Sequence, residues 1–477
     1  MKIHPSQPAP SVQPDVLVVG GGAVGGFIAS SLREAGARVL VIEAGPRSPD
    51  PASEHSMDGT LPETDAALWR YRCTPEHAQW SRVRALGGRT RVWGGWCVRA
   101  CAQNVVDAER AGAPWPLPFG ALQAQYARVE RELGVVGNRD GLAVVPDGMF
   151  VAPVTLHPRL SELTEALGLP VLAGRIATVA GRPWLASDAL QDVEVWPETV
   201  ALRVIVEHGR VLGVECHRGT TVRCVLCVPR VVLAASAIET ARLLRSSVPG
   251  HEGELRVTSA LIASHLVVAP GRTPEVAGAA RAAFVPRFVN VEGGAERPYV
   301  GGFSLEVQGP HPLRHLGASV LALLDVPRDS PDDMTAYLVH ALGTMLPSDE
   351  RTVRFDDGDR DALGRPLPVL RLATTEHDRT IGADMDAACL AVAEALGGEG
   401  VTAIPHVAPD GLQIGSEWLH GPDDGERFDD AGRCAGAVGL YVADARSTPW
   451  VSDRHPTLTM LAHAARVADA VLLDLRV

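Results

Sequence analysis

Residues 15–43 read DVLVVGGGAVGGFIASSLREAGARVLVIE. The segment opens with an apolar, β-branched run, Val16 to Val19, of the kind that a buried parallel strand uses. Three glycines follow in the spacing G-x-G-x-x-G, at Gly20, Gly22 and Gly25. A helical pattern and a second apolar run come next, and the second run ends in the acid Glu43. This order of strand, glycine turn, helix and strand predicts a βαβ unit.

Each part of this unit suits the binding of a dinucleotide. Gly20 makes the tight turn, Gly22 lets the backbone approach a pyrophosphate, and Gly25 lets helix and strand pack closely. The N-terminus of the helix offers N–H groups and a partial positive charge to phosphates. Glu43 stands where a carboxylate accepts hydrogen bonds from ribose hydroxyls. The alternative is a structural turn without a ligand, and the stretch alone does not separate FAD from NAD.

Length and charge bound the possible functions. A chain of 477 residues is too long for one compact core, so we expect two or more domains. The net charge of −13 argues against nucleic acid as a partner and suits a cationic substrate, although solubility alone also explains it. Lys2 is the one lysine of the sequence, so arginine supplies the other cationic groups.

The eight cysteines are scattered, which is not the pattern of a disulfide framework. Cys224 and Cys227 form a C-x-x-C, but no second pair or histidine cluster accompanies it, so we favour structural cysteines and predict no metal site. The first fourteen residues are polar and proline-rich, without a signal-peptide pattern. No apolar run approaches the length of a membrane span. We therefore expect a soluble, cytoplasmic protein that does not bind membranes.

Further along the chain, strand and helix patterns alternate. The pair His208-Gly209 predicts a hairpin turn between two alternating strands. Val231 to Ala235 is an apolar strand that leads into a helix pattern, so the nucleotide-binding domain resumes there after an insertion. Residues 303–307 alternate between apolar and polar or small side chains, which predicts an antiparallel sheet with one covered face. The expected elements around it are a central strand at 320–326, a hairpin within 351–371 and a long helix at 381–396.

The segment from Ser81 to Arg99 contains two glycine pairs, 87–88 and 94–95, on either side of Arg91 and Trp93. Paired glycines let a backbone lie flat against a large planar ligand. A plain glycine-rich loop explains the composition equally well.

The C-terminal block is more specific. It reads GLYVADARSTPWVSDRHPTLTMLAHAARVADAV from Gly439 onward and resembles the C-terminal signature of the glucose–methanol–choline (GMC) oxidoreductases. The N-terminal glycine motif with Glu43, the segment Gly87 to Gly95, and the run VVLAASAIETARLL resemble the same family in the same order. Together these motifs cover about half of the chain, mostly in its nucleotide-binding parts.

The resemblance implies FAD as the cofactor and an α/β fold, in which a Rossmann-like domain is built from discontinuous segments beside a substrate domain with an antiparallel sheet and covering helices. With the composition and the strand and helix patterns above, we expect a disordered tail at 1–13, an FAD-binding domain at 14–105, 186–263 and 400–477, a helical insertion or lid at 106–185, and a substrate-binding domain at 264–399. The residues implied for cofactor binding are Gly20, Gly22, Gly25, Glu43, Arg91, Trp93, Gly94, Gly95, Ala235, Asp444, Ala445, Pro456 and Thr457. No histidine lies at 89–93, where some family members attach FAD covalently, so non-covalent FAD is expected.

The catalytic residues are where the chain departs from the family. The family usually places one histidine in a segment like H-M-G-T-x-x-M-G and a second His or Asn before the final helix. Here Gln413 occupies the first position and His455 the second. Histidine has a suitable pKa for a base, whereas glutamine only positions and polarises. We therefore predict His455 as the base, Gln413 as its partner and His420 as the reserve candidate.

The implied reaction is oxidation of an alcohol, with hydride passing to flavin N5. The expected substrate is a sugar, aminosugar or related polyol natural product, with a cationic, aminoglycoside-like compound weakly favoured by the acidic balance. Dioxygen or another compound accepts the electrons. The alternatives are a GMC-fold lyase of the hydroxynitrile type, in which the flavin is structural, and a non-catalytic flavoprotein.

Overall fold

A computed structural model gives the fold. It describes residues 13–47, 70–74, 79–80, 83–115, 118–219, 222–271, 278–286, 299–313, 334–398, 400–403, 413–414, 418–421, 424–447 and 452–476. The strands are β1 (Val16–Val19), β2 (Val39–Ile42), β3 (Arg72–Thr74), β4 (Gln79–Trp80), β5 (Val135–Val136), β6 (Leu172–Ala173), β7 (Ile176–Val179), β8 (Arg182–Pro183), β9 (Glu194–Trp196), β10 (Thr199–Glu207), β11 (Arg210–Arg218), β12 (Val222–Cys227), β13 (Val231–Leu233), β14 (Leu255–Thr258), β15 (Ala260–Pro270), β16 (Ala282–Val285), β17 (Phe303–Pro312), β18 (Met334–Thr344), β19 (Arg351–Arg360), β20 (Pro366–Leu372), β21 (Gly400–Ala403), β22 (Gln413–Ile414), β23 (Trp418–His420) and β24 (Leu440–Val442). The helices are α1 (Ala23–Glu34), α2 (Ala102–Arg110), α3 (Phe119–Glu132), α4 (Pro158–Ser161), α5 (Leu163–Leu167), α6 (Ala186–Ala189), α7 (Ala237–Arg245), α8 (Glu376–Ala395), α9 (Asp424–Arg427) and α10 (Thr457–Leu475).

The first strand lies at the centre of a parallel sheet with the order β24-β13-β1-β2-β9. All four residues of β1 are buried, because helices and a second apolar cluster cover the two faces of the sheet. Helix α1 places Val24, Ile28 and Leu32 in the same core as residues of α10. This sheet confirms the predicted βαβ unit and the predicted α/β fold class.

A six-stranded sheet with the order β21-β15-β18-β17-β16-β6 forms the second large layer. Strands β15, β18, β17 and β16 pair antiparallel, as the alternation at 303–307 predicts. Phe303, Leu305 and Val307 pack in one core with residues of α8, so α8 covers this face of the sheet. The opposite face turns towards the nucleotide-binding part of the chain.

Two smaller antiparallel arrangements also match the sequence patterns. Strands β10 and β11 pair on either side of the turn at His208-Gly209, with Glu207 opposite Arg210. Strands β19 and β20 form the hairpin that was expected within 351–371. They belong to a mixed five-stranded sheet with the order β23-β14-β19-β20-β3, in which β3 runs parallel to β20.

Several expectations differ from the structure. The boundary expected at 263/264 falls inside β15, which pairs along its whole length with β18. Residues 400–403 form β21, at an edge of the six-stranded sheet, rather than part of the parallel sheet. The segment 106–185, expected as a helical insertion or lid, contains the helices α3, α4 and α5 and also the short strands β5 to β8. These strands have two to four residues, which is too short for a periodic sequence signal.

Other differences concern element ends and the part of the chain that is described. Helix α8 begins at Glu376, five residues before the apolar pattern starts, because Thr375 and Asp378 form a capping box there. The expected strand at 320–326 and nearly all of the expected disordered tail lie outside the described residues. Within the described ranges, no helix combines the length and the apolar character that crossing a membrane requires.

A buried ion pair joins the end of α8 to the neighbouring sheet. The guanidinium of Arg351, at the start of β19, contacts the carboxylate of Asp378, and both side chains are at most 2% exposed. The same carboxylate accepts a hydrogen bond of 2.8 Å from the N–H of Thr375. Although burial opposes it, these contacts and the neighbouring His377 hold the pKa of Asp378 below its usual range.

We expect Arg351→Ala to lower the free energy of unfolding by about 3–5 kcal/mol, because the substitution leaves a buried carboxylate without its cation. Urea denaturation followed by circular dichroism measures the change. Arg379→Ala is the control, since Arg379 forms an exposed pair with Glu376 and its loss should cost less than about 1 kcal/mol. Equal effects of the two substitutions would contradict the importance of the buried pair.

Candidate active site

The turn after β1 requires glycine at two of the three positions of the G-x-G-x-x-G motif for steric reasons. Gly20 has a φ of +106°, and a Cβ atom there would lie 2.4 Å from the carbonyl oxygen of Ala234. A Cβ atom on Gly25 would lie 1.8 Å from the carbonyl oxygen of Gly20. Gly22 differs from both, because a Cβ atom there would meet no protein atom within 4 Å. Helix and strand therefore touch at Gly20 and Gly25, while Gly22 borders open space.

Helix α1 points its N-terminus at this open space. Its N-cap residue is Gly22, which has no side chain to cap the first N–H groups. Glu43 lies at the adjacent strand end, and its two carboxylate oxygens accept hydrogen bonds from the N–H groups of Gly21 (2.7 Å) and Gly45 (2.8 Å). Burial raises the pKa of Glu43 against the opposing effect of these hydrogen bonds. Each oxygen keeps a lone pair that could accept a hydrogen bond from a ribose hydroxyl.

The second glycine segment packs directly on this turn. The N–H of Gly87 donates to the carbonyl of Gly21 over 2.9 Å. A Cβ atom on Gly88 would lie 3.1 Å from the Cα of Gly22, so the backbones approach closely. Arg91 is buried behind the segment, where its guanidinium lies 3.4 Å from the carbonyl oxygen of Leu86.

Trp93, Gly94 and Gly95 continue this segment towards the six-stranded sheet. The indole N–H of Trp93 donates to the carbonyl of Trp184 over 2.9 Å, and the two rings meet edge to face. Gly95 has a φ of +75°, and a Cβ atom on Gly94 would come within 3.8 Å of the Gln308 side chain on β17. The segment thus runs from the glycine turn to the six-stranded sheet, which we call the substrate-side sheet because the sequence patterns predict the substrate domain there.

Three further residues that the sequence predicts to bind the cofactor follow strands β13 and β24. Ala235 follows β13 beside Gly20, and Asp444 and Ala445 follow β24. The buried Asp444 carboxylate accepts hydrogen bonds from the Thr240 hydroxyl (2.6 Å) and from the N–H of Arg446 (3.1 Å). These positions share the carboxyl edge of the parallel sheet with Gly20 and Glu43, which is where open α/β sheets bind ligands.

These features fit an FAD molecule. The space beside Gly22, the N-terminus of α1 and the Glu43 carboxylate are the three groups that a pyrophosphate and an adenosine ribose need. The four glycines of the adjoining Gly87–Gly95 segment pack against protein instead, because a Cβ atom on any of them would lie within 3.3 Å of another residue.

His455 precedes Pro456 and the final helix, α10. The loop before it is fixed on both sides, because the Ser304 hydroxyl donates to the carbonyl of Asp453 (2.7 Å) and the Asn104 amide donates to the Asp453 carboxylate (2.8 Å). The His455 ring lies with Nε2 3.1 and 3.2 Å from the two carboxylate oxygens of Glu306 on β17. The side chain of His455 is 34% exposed, whereas that of Glu306 is only 2% exposed.

Glu306 belongs to a row of polar side chains across three strands. It lies directly opposite His340 on β18, which in turn lies opposite Ser264 on β15. Directly opposed residues point to the same face of a sheet. The Ser264 hydroxyl and His340 Nδ1 are 2.5 Å apart. Burial, with the neighbouring His455 as a smaller cause, lowers the pKa of His340 to about 4, so its ring is neutral at pH 7.

The other two predicted catalytic residues are placed only by their backbones. Gln413 lies in β22, which pairs with β4, and His420 lies in β23, which pairs with β14. Their side chains lie outside the described part of the structure. The structure therefore brings His455 to the six-stranded sheet through Glu306, with Pro456 and Thr457 at the start of α10 beside it, and gives no side-chain contact for Gln413 or His420.

Sequence reasoning missed Glu306, His340 and Ser264. A usable signal existed in the alternation at 303–307, because covered residues at 303, 305 and 307 put 304 and 306 on the other face. A glutamate in the middle of such a strand is unusual. The C-x-x-C pair has a plain explanation as well, since Cys224 is buried opposite Cys216, whereas Cys227, three residues further along β12, is exposed.

Comparison with known proteins decides the family. The family model for an FAD binding domain matches residues 15–265, just over half of the chain. Paromamine 6'-oxidase of Streptomyces fradiae is 27% identical over 97% of this chain and 92% of its own length. A GMC-type oxidoreductase of Mycobacterium bovis is 25% identical over about half of each chain, 51% and 52%. The crystal structure of formate oxidase has the same fold, with a TM-score of 0.68 over 97% of this chain and 98% of its own, at 15% identity.

The chain belongs to the GMC family of FAD-dependent oxidoreductases. The enzyme oxidises alcohol groups of small molecules, and its cofactor is FAD. The relatives do not favour the alternative of a hydroxynitrile-type lyase, because their names describe oxidases and oxidoreductases.

The glycine turn allows a matched pair of substitutions. Gly22→Ala should leave thermal stability close to that of the wild type, because its Cβ meets no protein atom. The same Cβ enters the space that fits the pyrophosphate, so FAD binding should weaken by about 10-fold or more, about 1.4 kcal/mol. Gly25→Ala should instead lower the melting temperature, because its Cβ collides with the Gly20 carbonyl. Differential scanning fluorimetry of the apoprotein and fluorescence titration with FAD measure both effects. A Gly22→Ala protein that binds FAD normally would contradict the placement of the pyrophosphate.

Proposed function

We propose that the enzyme oxidises an alcohol group of a sugar, an aminosugar or a related polyol, and that His455 removes the hydroxyl proton. FAD, when bound, supplies the acceptor for the hydride at its N5 atom. Dioxygen or another compound then takes up the electrons. The observation that carries this proposal is the position of His455, which is partly exposed, held by a fixed loop and turned towards the polar face of the substrate-side sheet.

The similarity to paromamine 6'-oxidase supports the substrate class. It extends over nearly the full length of both chains and therefore includes the substrate-side sheet as well as the nucleotide-binding part. That relative's name specifies an aminosugar-containing substrate. The net charge of −13 agrees with a cationic substrate, because it attracts cations at long range.

The chemistry supports histidine as the base. Hydride leaves a carbinol carbon readily when the hydroxyl proton is removed, which needs a base with a pKa near neutral pH. Glutamine cannot accept a proton at this pH, so Gln413 is proposed to position the hydroxyl. His420 is the second candidate for the base. His463, by contrast, is buried on α10 with Nε2 3.0 Å from the Ser447 hydroxyl, and burial lowers its pKa to about 4. It is suited to a structural role.

The remaining site residues are proposed to hold the cofactor. Gly20, Gly22 and Gly25 hold the pyrophosphate, and Glu43 binds the adenosine ribose. Trp93, Gly94 and Gly95 lie along the flavin, and Arg91 is a further cofactor-binding residue of the same segment. Asp444, with Ala235 and Ala445 beside it, orients the pyrophosphate or ribityl chain, while Pro456 and Thr457 face the pyrimidine end of the ring system.

Anaerobic stopped-flow spectroscopy tests this function. Paromamine, glucosamine or glucose should bleach the visible absorbance of the bound flavin, and admission of air or a quinone should restore it. His455→Ala should slow the bleaching by ~10²-fold or more, because proton removal then lacks its base. His217→Ala, on the three-stranded sheet, is the control and should bleach at the wild-type rate.

Two outcomes would contradict the proposal in different ways. If no alcohol of the panel bleaches the flavin, the enzyme does not oxidise this class of substrate. Near-normal bleaching in His455→Ala would keep the reaction but move the role of base to His420.

We also propose that FAD is held without a covalent bond, because residues 89–93 contain no histidine. Precipitation of the holoenzyme with trichloroacetic acid should therefore release the yellow colour into the supernatant. Mass spectrometry of the precipitated chain should give the mass of the polypeptide alone. A yellow pellet with the mass of FAD added would show a covalent attachment.

A further inference from the structure

Glu306 is an isolated charge in an otherwise uncharged sheet. The six strands of that sheet, β6, β15, β16, β17, β18 and β21, contain no other aspartate or glutamate and no arginine or lysine. Its side chain is 2% exposed, and among the described residues only His455 lies within ion-pair distance of its carboxylate. A buried carboxylate in such a position destabilises the fold unless a cation compensates it.

His455 cannot compensate the charge of Glu306 and act as a base at the same time. His455 can balance the charge of Glu306 only when its ring is protonated, but it can act as a base only when the ring is neutral. His340, the residue directly opposite Glu306, does not help, because its ring is kept neutral by burial. In the state that is ready to react, the neutral ring can still donate its Nε2–H to Glu306 but adds no positive charge, so a cation beside Glu306 would stabilise that state.

We infer that the Glu306 carboxylate binds a positively charged amino group of the substrate, and that this ammonium group supplies the positive charge that the neutral His455 ring lacks. The inference rests on the proposed function and specifies its substrate as an alcohol that carries an ammonium group. The His455 ring then accepts the hydroxyl proton while the substrate balances the charge of Glu306. A neutral alcohol brings no such charge and is a poorer ligand and substrate.

The surroundings of Glu306 suit the rest of such a molecule. Ser264 and His340 form the next positions of the same row, and Gln308 lies two residues along β17 on the same strand. Hydroxyl, neutral imidazole and amide groups both donate and accept hydrogen bonds, as the hydroxyls of a sugar require. Charge recognition at one point and neutral hydrogen bonding around it is the arrangement that an aminosugar fits.

Anaerobic isothermal titration calorimetry of the protein loaded with reduced FAD tests the inference, because a reduced flavin cannot accept a hydride and no turnover occurs. The probes are two matched pairs: glucosamine with N-acetylglucosamine, and ethanolamine with ethylene glycol. Wild-type protein should bind the amino member of a pair at least about 10-fold more tightly, and Glu306→Gln should abolish the preference. Glu306→Asp keeps the charge and should keep the preference at lower affinity, and it also serves if Glu306→Gln fails to fold.

Asp386→Asn is the control, because it removes a carboxylate that contacts His265 from the opposite side of the same sheet. It should keep the wild-type preference. Equal affinity of wild-type protein for both members of both pairs would overturn the inference. A loss in Glu306→Gln that is equal for the amino and the neutral ligands would overturn it too, since that pattern indicates that Glu306 only positions His455. The stopped-flow experiment detects failure of the proposed function separately, because in that case no alcohol bleaches the flavin.

Discussion

The contact between α1 and the end of β1 is the constraint on which the rest of the structure depends. The helix lies so close to the strand that the Gly25 position has no room for a Cβ atom beside the Gly20 carbonyl. This approach directs the helix N-terminus at the carboxyl edge of the parallel sheet. Because all five strands run in the same direction, the residues that follow β2, β13 and β24 meet at that edge as well.

The substrate side obeys a different constraint. The antiparallel sheet is apolar where α8 covers it and polar where it faces His455, because side chains alternate along each strand. Buried polar groups are costly unless they find partners. Ser264 and His340 contact each other, and Glu306 contacts His455, so these contacts offset part of the cost. Neutral and charged groups of a bound ligand can supply the remaining partners of these polar side chains.

The two constraints meet in the loop before α10. The backbone of Asp453 receives a hydrogen bond from Ser304 of the sheet, and its carboxylate receives one from Asn104 of α2. On the other side, the hydroxyls of Tyr126 in α3 and Thr459 in α10 are 2.6 Å apart. Several elements therefore fix the position of His455 relative to both the parallel sheet and the substrate-side sheet.

The sequence by itself determined the nucleotide-binding half. Glycine spacing, buried apolar runs and a strand-terminal acid are local features, so they predict β1, α1, β2 and the family without tertiary information. The position of His455 next to Pro456 was readable for the same reason. Only the tertiary structure decided which strands belong to which sheet, because short strands such as β6 and β21 carry no periodic signal. It alone also revealed Glu306 and His340 beside His455, since Glu306 pairs across strands with His340 and contacts His455, which lies 149 positions further along the sequence.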